Sequence, residues 1–173
     1  MKQRSLWVAA LAMLGITSMA SANFRQGDFE LTLSGSGGND KEFEAGSINA
    51  NASLGYFLTD GFEIAIRQSV TYADGGEGQD TIINGSTRGA IDYNFEFGRW
   101  QPFIGMNLGY VYGDGVLDTW EAAPEVGLKV FVNDTTFIYG QVEYQFFFRD
   151  TDNADEAFDD GQFVYSLGIG FRF

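Results

Sequence analysis

The sequence predicts an all-β chain that folds as one eight-stranded antiparallel barrel, an up-and-down meander, after a cleaved leader. Three observations predict it. Apolar residues alternate with small or polar ones in eight segments, the connections between them alternate short and long, and the first residues have the anatomy of an export signal.

The leader comes first. Lys2 and Arg4 precede an apolar run at 6–16, and Ala20-Ser21-Ala22 closes a small, polar stretch. A positive start, a short apolar core and an A-x-A end make a secretory signal peptide. The core is too short for a spanning helix, which needs about 20 residues. Residues 1–22 are therefore read as the signal peptide and 23–173 as a single β-barrel domain, with 151 of the 173 residues left in the mature chain.

Composition narrows the function classes. Lys2 and Arg4 depart with the leader, so 10 basic residues fall to 8 against 24 acidic ones, and the net charge moves from −14 to −16. Phosphate binding needs a basic stripe, which argues against nucleic acid as a partner. There is no Cys and no His. The commonest general base and metal ligand is thus missing. Aromatics reach 16%, too many for a disordered chain.

The strands follow in order. Phe29, Leu31 and Leu33 alternate with Asp28, Glu30 and Thr32. Ile48, Ala50, Ala52, Leu54 and Tyr56 alternate with Asn49, Asn51, Ser53 and Gly55. Phe62, Ile64, Ile66, Val70 and Tyr72 stand opposite Glu63, Arg67 and Thr71. Ile91, Tyr93 and Phe95 oppose Arg88, Asp92 and Glu96. In the fifth segment, Ile104, Met106, Leu108, Tyr110 and Tyr112 oppose Gly105, Asn107 and Gly109. Trp120, Ala122, Pro124, Val126, Leu128 and Val130 then oppose Glu121, Glu125 and Lys129, with Pro124 expected to weaken its strand or mark a bulge. Ile138, Val142, Tyr144, Phe146 and Phe148 oppose Gln141, Glu143, Gln145 and Arg149. The last segment is the clearest: Phe163, Tyr165, Leu167, Ile169, Phe171 and Phe173 stand two apart. Period two over such lengths is a strand signal, since a helix would scatter these side chains around its circumference.

Short turns are expected at 58–61, 98–101 and 133–135, and longer loops at 35–45, 73–81, 113–118 and 149–161. Membrane barrels have short periplasmic turns and longer outer loops, so both ends of the domain are assigned to the periplasm. Alternation alone also fits a soluble barrel with an apolar interior. Inner charges of both signs, aromatics near strand ends and a terminal Phe favour an eight-stranded antiparallel transmembrane β-barrel.

Residues 55–63 (GYFLTDGFE) resemble the first periplasmic hairpin of the small outer-membrane β-barrel family, which includes the barrel domain of outer membrane protein A and outer membrane proteins X and W. Residues 102–110 (PFIGMNLGY) resemble its fifth strand. The alternating run from Phe163 to Phe173 looks like the family's C-terminal signal. The resemblance implies a bacterial outer-membrane location, contact with outer-membrane lipid and lipopolysaccharide, and recognition of the last strand by the barrel assembly machinery. It also implies a monomer without cofactors.

Function is less legible. Barrel enzymes of this size class, the lipid A palmitoyltransferases and deacylases and the outer-membrane proteases, use His, which disfavours a lipid-modifying enzyme. Glu121 and Glu125 form a candidate acid/base pair, but inward carboxylates on a barrel strand more often belong to ion pairs. The expected lumen network comprises Glu30, Glu63, Asp92, Glu125 and Glu143 with Arg67, Arg88, Lys129 and Arg172, and Glu96 is a further inner acid. Eight strands leave room for little beyond their own side chains, so these charges are expected to plug the lumen. Gating a narrow conductance is the alternative. The acidic run 150–160 does not fit a calcium loop, because Ala154 and Asp155 stand where the pattern needs a ligand and a glycine. It is read as a solvated loop, with Phe158 as a partner contact. The leading expectation is a non-enzymatic structural or surface-interaction barrel; a narrow channel, or a carrier of small apolar compounds, comes second.

Overall fold

The computed structural model describes residues 23–39, 46–74, 81–114, 119–148 and 161–173. The leader 1–22, the acidic run 150–160 and Phe158 lie outside them. All regular structure among the described residues is strand: β1 (Phe29–Asn39), β2 (Gly46–Phe57), β3 (Phe62–Asp74), β4 (Ile82–Asn94), β5 (Trp100–Gly113), β6 (Thr119–Phe131), β7 (Thr136–Phe148) and β8 (Gln162–Arg172). Each pairs antiparallel with the next, and β8 returns to β1, closing the barrel. Closure into a barrel, which gives every strand a neighbour on both sides, is how a sheet spans lipid.

The side-chain period decides which face is which. On β3, Ile66 is 67% exposed while its neighbour Arg67 is 9% exposed. The same holds around the barrel: Leu54, Ile91, Ile104, Val126 and Ile138 are exposed, whereas Glu30, Glu63, Asp92, Glu125 and Glu143 are buried. An apolar exterior around a charged interior is the inverse of a soluble barrel and matches a bilayer-spanning one. Aromatic contacts gather toward both ends of the strands. Near the turns, Phe29 meets Tyr56 at 5.0 Å and Phe173 at 6.0 Å between ring centroids. Near the loops, Tyr110 meets Trp120 at 5.5 Å and Tyr144 meets Phe163 at 4.7 Å. Such girdles sit at the two membrane–water interfaces.

The short turns are held by side-chain acceptors. Thr59 Oγ1 accepts from the Phe62 amide at 3.0 Å. Asn133 Oδ1 accepts from the Thr135 and Thr136 amides at 2.9 and 2.8 Å, an Asx-type turn. The turn before β5 uses Gly98 at φ 65°, a left-handed conformation that side chains disfavour.

Two sequence expectations change. Residues 35–39, expected as loop, continue β1 and pair with β2 from Gly35↔Ala50 to Asn39↔Gly46. Glycine contributes no side chain to alternate, so this half of the strand was invisible to periodicity. At Pro124 no bulge forms: Ala122↔Phe146 and Glu125↔Glu143 belong to one register. The β6–β7 ladder is merely interrupted at Ala123 and Pro124, where the proline has no N–H to give.

Candidate functional site

The lumen is filled in tiers, described here from the turn end upward. The first tier is aromatic. The segment before β1 turns into the barrel mouth, so Phe24 is fully buried and stacks on Phe57 at 4.1 Å with 9° between the rings. Phe131 and Phe137 approach Phe24 edge-on at 5.3 and 5.7 Å. Gly27, at φ 95°, makes the bend and donates its amide to the Phe57 carbonyl at 2.9 Å. The Gln26 amide donates to Asp60 Oδ1 at 2.9 Å.

Above this plug stands Lys129. Its Nζ donates to Glu30 Oε2 at 2.6 Å and Glu63 Oε2 at 2.9 Å. The same ammonium lies 5.0 Å from the ring centre of Phe24 and 5.2 Å from that of Phe103. Rings at this range supply cation–π attraction, which is larger when the cation is desolvated. Next comes Arg67, whose two terminal nitrogens divide between Asp92 Oδ2 at 2.6 Å and Glu125 Oε2 at 2.5 Å. Arg88 forms the top tier, with Nη1 on Glu143 Oε1 at 2.9 Å and Nε 3.7 Å from Glu121 Oε1. Asn107 ties the upper two tiers, donating to Glu125 Oε2 at 2.9 Å and Glu143 Oε2 at 3.2 Å. Three cations thus each serve two carboxylates.

Glycines make room for these groups. Gly105 lies opposite Asp92 and Gly109 opposite Arg88. A Cβ at Gly105 would stand 1.8 Å from Asp92 Oδ1, and one at Gly109 would stand 2.3 Å from Arg88 Cγ. The plug uses the same device, with Gly170 opposite Phe137. Small-against-large pairing across strands is how a narrow barrel fills its taper.

Most of the expected network residues meet here: Glu30, Glu63, Arg67, Arg88, Asp92, Glu125, Lys129 and Glu143. Arg172 does not join them. In register it faces Glu30, but Lys129 occupies that carboxylate, and Arg172 instead reaches the Asn23 carbonyl and lies 3.8 Å from Asp28 at the rim. Glu96 is exposed beyond the end of β4, where Asn23 Nδ2 donates to it at 3.1 Å. Glu121 belongs to the network through Arg88; the sequence marks it as an inward carboxylate of the ion-pair kind but does not place it among the nine residues expected in the network. Its place on one face with Glu125 and Lys129, four residues apart each time, was the available signal. The inward aromatics Phe57, Phe103, Phe131 and Phe137 were likewise missed, though all sit on inward-facing positions of their strands. The outward residues of β8, including Phe163, Tyr165, Leu167, Ile169 and Phe173, are exposed, with Phe171 half-buried.

Above Arg88 the filling stops. A well of about 770 Å³ opens toward the loop end. Hydroxyl and amide side chains, among them Ser34, Asn49, Asn51, Ser69, Thr71 and Gln145, line it together with the inward-facing Val111, Phe147 and Val164. Arg88, Glu121 and Glu143 form its floor. Among the described residues no group of three or more His, Cys, Asp or Glu is placed to hold a metal ion.

An apolar belt around an ion-paired lumen makes this chain a small β-barrel of the outer-membrane type. It superposes on the N-terminal β-barrel domain of Pseudomonas aeruginosa OprF with a TM-score of 0.60 and 19% identity, over 86% of this chain and 98% of that one. On the outer membrane protein OprG from Pseudomonas aeruginosa the TM-score is 0.60 at 14% identity, over 88% of this chain and 98% of that one. At such identities the likeness is one of fold. No protein-family model and no curated protein matches the chain.

The Arg67 tier makes a direct prediction. Removing one partner of a buried ion pair strands the other, at a cost of about 3–5 kcal/mol. Arg67→Ala leaves Asp92 and Glu125 without their cation, so its unfolding in micelles should shift to markedly lower urea. An unshifted midpoint would mean that water already solvates these carboxylates.

Proposed function

We propose that this chain is a non-enzymatic, non-conducting barrel of the bacterial outer membrane that serves as a structural scaffold and presents its long loops for surface interaction. One observation carries the reading: three successive tiers, each a cation held by two carboxylates, occupy the lumen above a stacked Phe24 plug. An ion crossing would have to break each tier. The lack of His, and the binding of Glu121 and Glu125 to two different arginines, support the non-enzymatic part.

In this reading residues 1–22 direct export and are removed. The turn end faces the periplasm and the loop end faces outward. Lipid and lipopolysaccharide surround a monomer, and the barrel assembly machinery reads the last strand. The alternative, a narrow channel or carrier, draws on the open well at the loop end, yet below Arg88 only a void of about 30 Å³ continues beside Arg67, Asp92 and Lys129.

Planar bilayers test the lumen. The purified barrel should show no step conductance above leak, whereas steady single-channel openings in the unmutated protein would favour the channel. Deleting Phe173 tests the assembly role. As packing alone, this residue is worth at most about 1.5–3 kcal/mol. The deletion should sharply lower assembly in cells, measured by heat-modifiable gel mobility, and still permit folding into micelles. Equal defects in both settings would reduce Phe173 to packing.

A further inference from the structure

The barrel wall is not evenly paired. Neighbouring strands elsewhere match over ten or more residues, as in Phe29↔Tyr56 to Asn39↔Gly46. The closing pair, β1 with β8, matches over only six, from Phe29↔Phe173, which exchange both backbone hydrogen bonds, to Ser34↔Gly168. Both strands continue toward the loop end, β1 to Asn39 and β8 back to Gln162, without pairing to each other. Six residues at about 3.4 Å each, tilted by about 40°, rise only about 16 Å. The apolar band of such barrels is about 25 Å tall, so the gap begins well inside it.

Unpaired backbone edges are not tolerated against lipid unless they line protein or a polar cavity. Here they border the well. Ser34, Gly35 and Ser36 of β1 line it, as do Gln162, Ser166 and the outward-pointing Tyr165 and Leu167 of β8. Ser36 points toward the lumen by strand period and is nevertheless exposed. Tyr165 and Leu167 are 74% and 79% exposed, the most of any large apolar residues described. A well of mixed polar and apolar lining therefore joins an apolar surface through a slot in the wall.

We propose that this slot admits the head of a single-chain amphiphile into the well while its chain lies along Tyr165 and Leu167. The lining selects the head. Hydroxyls and amides suit a hydroxylated, uncharged group, and the floor sets two carboxylates against one guanidinium, which repels an anionic one. The well holds the head, and below Arg88 only a void of about 30 Å³ continues toward Lys129.

The test uses the full barrel in dodecylphosphocholine micelles, followed by NMR of the Asn49, Asn51 and Gln162 side-chain amides. Dodecyl maltoside should shift these signals saturably, at concentrations roughly tenfold or more below those needed for free maltose, a ratio equal to about 1.4 kcal/mol. Dodecyl phosphate should leave them unmoved. The doubly substituted Ser36→Cys, Ser166→Cys barrel places two thiols where a continued ladder would pair them. Its oxidised form should lose the maltoside response and regain it on reduction. In the unmutated protein, the Gly35 to Gly38 amides that face β8 should exchange with solvent faster than the paired amides of β3.

Equal responses to maltoside and phosphate heads would overturn the selectivity, and so the proposal. A response that survives oxidation would mean that the head enters from the loop end. Intermolecular disulfides as the main product would assign the gap to a second copy of the chain. Protected amides from Gly35 to Gly38 would show that the slot is closed. Each of these results leaves the non-conducting reading standing, because none bears on passage below Arg88.

Discussion

Everything in this barrel answers to one constraint: a charge buried in a narrow, water-poor lumen must have a partner. Lys129, Arg67 and Arg88 come from three different strands, and each is met by carboxylates from two others. The network therefore crosslinks the wall through its centre. A hydrogen-bonded ladder fixes neighbours only, whereas Lys129 joins β6 to β1 and β3, and Arg67 joins β3 to β6 across the lumen. Buried ion pairs add little net stability over an apolar filling but are costly to break, so they favour one register above others. That specificity matters in a barrel, because a one-residue slip would turn every charge toward lipid.

The remaining features accommodate these charges. Glycines opposite Asp92, Arg88 and Phe137 give up volume where a larger side chain needs it. The plug of Phe24 and Phe57 covers the Lys129 tier from below, removing water and thereby strengthening the pairs above it. At the loop end the strategy changes to uncharged hydroxyls and amides around an open well. The pairing between β1 and β8 ends near this transition, at Ser34 and Gly168, next to the residues that line the well. Close filling below and an open well above divide the lumen into an ion-paired half and an accessible half.

Much of the fold was legible because strand period and burial are coupled through the turn-side half of the barrel. Phe62, Ile64 and Ile66 against Glu63 and Arg67 announce both a strand and its two faces. What escaped was whatever depended on a third partner. Arg172 sits on the inward parity, yet which cation takes Glu30 is decided by Lys129, 99 residues away from it in sequence. Phe57 and Phe137 read as ordinary strand aromatics until Phe24 folds in between them. Residues 35–39 carry no alternation because four of the five are glycine or serine and the strand there borrows its order from β2. Glu121 was visible by spacing, but its role rests on the reach of Arg88.

The central claim is that the lumen charges form one coupled, water-excluded network. A double-mutant cycle between Arg67 and Glu125, on β3 and β6, measures this most directly. Folding free energies would be taken for the unmutated barrel, Arg67→Ala, Glu125→Ala and the double variant in the same micelles. Close, desolvated charge pairs show coupling of about 1.5–7 kcal/mol. The account predicts coupling in that range, with the double variant less damaged than the two single changes would add up to. Additivity within about 0.5 kcal/mol, the behaviour of independent sites, would contradict it.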